Sequence, residues 1–285
     1  MDEVVLQVLG ECLRVAQDLP QSPGSFRITN GHARKAELCS KGLELCKLLN
    51  PNNTNELQRC LHEFKELMGR VSLADGRSYA MQVSGVCQRF LFGVEEAIVN
   101  GDATLARPEM LDFLPLSAWQ IVTKEWETAM SHLKDSIKEL SPPNNNFSNT
   151  HHLMTSSHLM TSSERIALLL KGVKTLMRKV RTKCLQPLIE PVETMEAVAW
   201  LDELFDIVGP LMKAVEDVTV AAFPPENPVQ VAAFATEVVL QAQALCVVAK
   251  AYPGNPLPSR PKSPNIICIG LDEEEMAWFE NASTH

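Results

Sequence analysis

The chain of 285 residues is 45% hydrophobic and 21% charged, with a formal net charge of −9. That apolar content excludes a largely disordered polymer. The acidic balance disfavours direct contact with nucleic acid, because every Lys or Arg aimed at a phosphate works against the repulsion of the remaining charge.

Val5, Leu9, Cys12, Ala16 and Leu19 step by three or four residues and predict a first amphipathic helix stopped by Pro20 and Pro23. Cys39, Leu43, Cys46 and Leu49 set the stripe of a second, which Asn50-Pro51 ends. Thr54 or Asn55 is placed to cap a third, striped by Leu57, Leu61, Phe64, Met68 and Val71, before a turn at Asp75-Gly76. A fourth carries Val83, Val86, Phe90, Val94 and Ala97 and closes on Asn100-Gly101. After an irregular stretch, Ser117 caps the most regular helix of the chain. Trp119, Val122, Trp126, Ala129, Leu133, Ile137 and Leu140 follow on its seam, which reads as core.

Residues 141–163 change character. They hold Ser141-Pro142-Pro143 and two copies of His-Leu-Met-Thr-Ser-Ser, starting at His152 and His158, and read as a polar linker. The second half resumes with Ile166, Leu169, Val173, Leu176, Val180 and Cys184 on one stripe, while Lys171, Lys174, Arg178 and Arg181 form a basic one. A long helix over Val192 to Ala222 places Val198, Leu201, Phe205 and Val208 inside and bends at Pro210. Asn227 caps, and Pro228 begins, a last helix reaching about Tyr252. It contains the most apolar stretch, Val229 to Ala251, but Gln230, Thr236, Glu237, Gln241 and Gln243 interrupt it, so it reads as a core helix and no membrane partner is expected. From Pro253 the chain is proline-rich, then acidic at Asp272-Glu273-Glu274-Glu275, with Trp278 and Phe279 close behind.

The expected fold is therefore all-α: a multi-helix bundle of long amphipathic helices, as one elongated body or two packed bundles. The expected organisation is 1–140 as an amino-terminal bundle, 141–163 as linker, 164–252 as a carboxy-terminal helical segment and 253–285 as tail. A sandwich or barrel is disfavoured, because turn-punctuated alternating segments are missing.

The chemistry of catalysis is missing from the pattern. There is no Gly-x-Ser-x-Gly elbow, no phosphate-binding glycine loop, and no Glu-x-x-His or paired Cys and His spacing for metal. No enzyme activity, cofactor or metal is expected. The eight cysteines, scattered among apolar helical positions, read as reduced core thiols. Ser22, Ser141 and Ser263 each precede proline in predicted loops and could accept a proline-directed kinase. The acidic start, Met1-Asp2-Glu3, lacks the pattern of a secretory signal and suggests an intracellular protein.

Leu201-Asp202-Glu203 through Pro210, then Val215-Glu216-Asp217-Val218 and Phe223-Pro224-Pro225, resembles the cyclin-D-interacting protein family (GCIP, or maternal Id-like). The likeness extends more loosely back through Arg178-Lys179-Val180 and Cys184 and forward to about Lys250. It implies an all-helical, non-enzymatic negative regulator of cell-cycle progression and transcription. Such a regulator binds D-type cyclins and helix-loop-helix transcription factors in cytoplasm and nucleus without touching DNA. Candidate partner-binding residues are Lys171, Lys174, Arg178 and Arg181, with Trp278 and Phe279 of the tail. The alternative is a cytoskeletal adaptor of the vinculin or catenin type, whose long amphipathic helices suit the same pattern.

Overall fold

Helix is the only regular structure among the described residues of the computed structural model, which are 3–22, 31–50, 53–141, 161–186, 194–223 and 227–252. The predicted all-α helical bundle is what the chain forms. The helices are α1 (Glu3–Asp18), α2 (Gly31–Lys47), α3 (Thr54–Met68), α4 (Arg77–Asn100), α5 (Ala118–Leu140), α6 (Ser162–Val180), α7 (Met195–Ala221) and α8 (Pro228–Lys250). Short 3-10 turns follow α1 and link α3 to α5, and a π turn, Arg181–Leu185, continues α6. Residues 142–160 of the expected linker 141–163, and the expected tail 253–285, lie outside the described residues.

The chain forms two compact units that do not follow chain order. One is Met1–Ile121 with Val192–Asp202, the other Val122–Pro191 with Glu203–His285. The division falls inside α5 and α7, so both units are discontinuous in sequence.

In the first unit α1 packs on α3 and α4, α2 packs on α3, and the 3-10 segment Pro108–Phe113 packs against α2 and α4. Phe64 of α3 and Phe90 of α4 meet at its centre with ring centroids 5.5 Å apart. Each is fully buried, a burial worth roughly 1.5–3 kcal/mol per side chain.

The stripe of α1 is buried as its spacing dictates, and so are those of α3 and α4. That of α2 is not. The structure buries Arg34, Leu38, Gly42 and Leu45, leaves Cys39 and Cys46 half-buried, and turns Leu43 outward at 49% exposure. An arginine and a glycine thus stand where apolar spacing looks for hydrocarbon. Gly42 faces Leu111 so closely that an added Cβ would lie 2.2 Å from Leu111 Cδ1, so the packing uses the missing side chain. Arg34 is drawn inward by charge. Its Nη2 donates to Asp75 Oδ1 at 3.1 Å and its guanidinium carbon lies 5.6 Å from the centre of the Tyr79 ring.

Several helix ends follow local chemistry, but the cap expected for α3 at Thr54 or Asn55 falls instead on Asn53, whose side chain makes no cap hydrogen bond. Ser117 Oγ accepts from the Gln120 amide at 3.2 Å, while Gln120 Oε1 accepts from the Leu116 amide at 2.6 Å, which fixes the entry to α5. Thr161 and Glu164 form a capping box on α6, so the helix starts at Ser162, two residues before the expected boundary at 164. Asn227 Oδ1 accepts from the amides of Val229 and Gln230 at the start of α8. Gly101 ends α4 in the left-handed region at φ 67°.

The start of α4 is different. Its cap residue is Gly76 at φ 104°, which has no side chain to offer. Instead the Asp202 carboxylate of α7 accepts from the amides of Arg77 at 2.6 Å and Ser78 at 2.9 Å. An anion at this position also suits the positive end of the helix dipole. A Cβ on Gly76 would stand 3.0 Å from Val198 Cγ1, so a glycine there lets the two segments close. Replacing Asp202 with alanine is expected to cost about 1–2 kcal/mol, the scale of a lost helix cap, with Asp202→Asn in between. Urea denaturation reads this; a variant as stable as the parent would remove the cap from the account of the first unit.

The second unit combines the rest of α5, all of α6, the rest of α7 and all of α8, with α6 packed on α8. Trp126 is wholly buried and its Nε1–H donates to the Met177 carbonyl at 3.2 Å. Ser163 Oγ donates to the Ala222 carbonyl at 3.0 Å, tying the start of α6 to the end of α7. α7 continues as helix through Pro210, whose ring faces solvent. The expectation for α8 as a core helix needs correction: Val231, Val238, Val239, Ala242, Leu245, Cys246 and Ala249 are buried, but Val229, Leu240 and Val247 are exposed. By length and composition α8 is the one helix among the described residues able to cross a membrane, a test that a core helix also passes.

Candidate functional site

The basic stripe read from the sequence lies on α6 and its π turn. Between residues 164 and 185 stand seven cations and one acid, Glu164, which is spent on the capping box. Lys171 and Arg178, seven residues apart, are exposed along one line of the helix, with exposed Leu168 (44%) about 60° to its side and exposed Arg165 further round. Lys174 is half-buried at the edge of that line. This arrangement follows from period 3.6: Ile166, Leu169, Leu170, Val173, Leu176, Met177 and Val180 turn inward, so the cations between them face out.

Arg181 departs from its neighbours. Its Nη2 lies 2.8 Å from Glu127 Oε1 of α5, so one member of the stripe is already engaged within the unit. The structure thus brings Lys171, Lys174 and Arg178 together as a row and sets Arg181 at its end in an ion pair. Trp278 and Phe279 lie outside the described residues.

A second feature escaped the sequence. Glu125, Thr128, Ala129 and His132 of α5 face Phe205, Val208, Gly209 and Met212 of α7 across a half-open groove of about 200 Å³. Phe205, expected inside, lines this groove only partly buried. An added Cβ on Gly209 would meet nothing within 4 Å, so the glycine leaves one wall open. The groove is lined mainly by hydrocarbon and suits a single apolar side chain. Its floor could have been suspected from Phe205, Val208 and Met212 on one side of α7, but the α5 wall is written in Glu, Thr and His, which read as solvent positions.

The described cysteines are all free thiols. Burial pushes Cys12, Cys60 and Cys87 up to about 12, and Cys46 and Cys184 up to about 11. Thiols held protonated are poor nucleophiles and poor metal ligands. Among the described residues no three of His, Cys, Asp or Glu converge as a metal site. The folded chain is expected to react with a thiol reagent at pH 8 at least about a hundredfold more slowly at these five positions than the urea-unfolded chain. The same shifts give stability a sign with pH. The folded state keeps protons that the unfolded thiols release above 9, so this contribution is complete below pH 9 and is lost as pH rises from 9 through about 12. Urea midpoints measured across that range check it; a flat profile would contradict the burial of these thiols.

Compared with known proteins, the chain matches no family model and no curated sequence.

Proposed function

We propose that this chain is a non-enzymatic regulator acting through protein contacts. Its partners are D-type cyclins and helix-loop-helix transcription factors, as the resemblance over Leu201 to Pro225 implies. It restrains cell-cycle progression and transcription, in cytoplasm and nucleus, without direct contact with nucleic acid.

The observation that carries the docking part of this reading is the α6 row. On a chain of net charge −9, Lys171, Lys174 and Arg178 stand together beside exposed Leu168. Such a row suits an acidic amphipathic helix laid along α6, with one apolar residue seated on Leu168 and carboxylates over the cations. Charge complementarity of this kind governs encounter rate and register more than raw affinity.

Capture of purified D-type cyclin and of a helix-loop-helix factor tests the reading. The parent chain is expected to capture both, and the double variant Lys171→Glu/Arg178→Glu to lose about tenfold in affinity, about 1.4 kcal/mol, with unchanged helicity. Raising the salt should narrow the difference. No capture by the parent under conditions where a GCIP-type protein binds would end this assignment. The division into two helical units favours a second reading, an adaptor of the vinculin or catenin type. Cosedimentation with actin in the absence of cyclin capture would put that reading first.

A further inference from the structure

We infer that the acidic carboxy-terminal segment Asp272–Phe279 is the resident occupant of the α6 cation row, and that it docks there within the same chain. The argument starts from charge. The last 23 residues, 263–285, hold five acids and no Lys or Arg. The α6 row offers Lys171, Lys174 and Arg178 as exposed or half-exposed cations with no ion pair among the described residues. In a chain of net charge −9, the segment 164–185 carries seven cations against one acid.

Spacing agrees with charge. Lys171 and Arg178 are seven residues apart on a helix, a rise of about 10 Å at about 1.5 Å per residue. Four residues in extended form, Asp272-Glu273-Glu274-Glu275, span about 10 Å between the first and last Cα at about 3.4 Å per residue. Laid antiparallel to α6, the run sets Asp272 near Arg178 and Glu275 near Lys171. The chain then continues toward Leu168, where Met276 and Trp278 find the exposed apolar residue of the row. Reach is no obstacle. α8 packs on α6, and the 21 residues between Lys250 and Asp272 extend to about 70 Å at about 3.3 Å each, twice the length of α8 at about 1.5 Å per residue.

The consequence for regulation rests on the docking reading given under Proposed function: a partner that uses the α6 row must displace the tail. The docking itself stands apart from that reading, and it is tested on the full chain with no partner present. Zero-length carbodiimide coupling should join Lys171 or Lys174 to the acids at 272–275 within one chain, and 0.5 M NaCl should reduce that coupling several-fold. Neutralising the run (Asp272→Asn, Glu273→Gln, Glu274→Gln and Glu275→Gln) should raise acetylation of Lys171 and Lys174 several-fold, with Lys124 and Lys134 of α5 unchanged as internal references. Equal acetylation in the parent and the neutralised chain overturns the proposal. So does coupling found only between isotopically light and heavy copies, which would assign the tail to a second molecule. A failed cyclin capture with positive coupling removes the partner and keeps the tail.

Discussion

Trp126→Ala is expected to lower the stability of the second unit by about 3–5 kcal/mol, the range for deleting a large buried aromatic. Trp126 is 0% exposed and sits in the middle of α5, so the backbone around the vacated space is held by more than two helical turns on either side. Such a site collapses poorly and retains most of its cavity. The polar part of the loss is smaller. The Met177 carbonyl that accepts from the indole also accepts from the Arg181 amide, so it keeps a partner when the ring is removed. Trp126→Phe should therefore cost much less, about 1–2 kcal/mol, because it keeps most of the hydrocarbon. Urea unfolding followed by helical circular dichroism separates the two. If alanine and phenylalanine cost the same, volume is not what the ring contributes.

Asp75→Ala is expected to cost about 3 kcal/mol or more, because it takes a carboxylate from beside a guanidinium that is only 9% exposed. Burial alone would pull the Arg34 proton affinity down. The neighbouring Tyr79 and Asp75 outweigh it, and the group is held above its ordinary value. Asp75 has a second duty, since its Oδ2 accepts from the Ser72 amide at 3.0 Å and shapes the turn before α4. The double variant Arg34→Met/Asp75→Ala should recover much of the loss, because a buried ion pair exchanged for hydrocarbon is often close to neutral, whereas a broken pair is not. A double variant weaker than Asp75→Ala by a further 2 kcal/mol would show that Arg34 acts through other contacts.

These two sites mark where the sequence was legible. Trp126 was placed in the core by spacing alone: one apolar residue every three or four positions over α5 leaves a single seam, which is buried from Val122 to Leu140 and half-buried at Trp119. The same rule worked for α1, α3, α4 and α6, where hydrocarbon supplies the inward face. It failed on α2, since the inward face there is Arg34, Leu38, Gly42 and Leu45. A stripe built from a cation paired at a distance of 41 residues and a glycine chosen for closeness carries no apolar period. Capping divided in the same way. Ser117 and Asn227 were read correctly because a cap written within three residues is local information. The cap of α4 was not, because Asp202 lies 125 residues from Arg77. For the candidate site, the cations of α6 were visible as a stripe, but the engagement of Arg181 by Glu127 and the groove between α5 and α7 depend on which helices become neighbours.

Asp202 also sets an order of events on the ribosome. The amides that open α4 emerge early, whereas the carboxylate that satisfies them is about 125 residues later in the chain, roughly 6–25 s at roughly 5–20 residues per second. Over that interval the nascent first unit lacks both the cap and the α7 segment that completes it. Its final closure thus waits until α7 has been synthesised, and any transcript or protease cut that ends the chain before residue 202 leaves a helix whose first turn still awaits its anion.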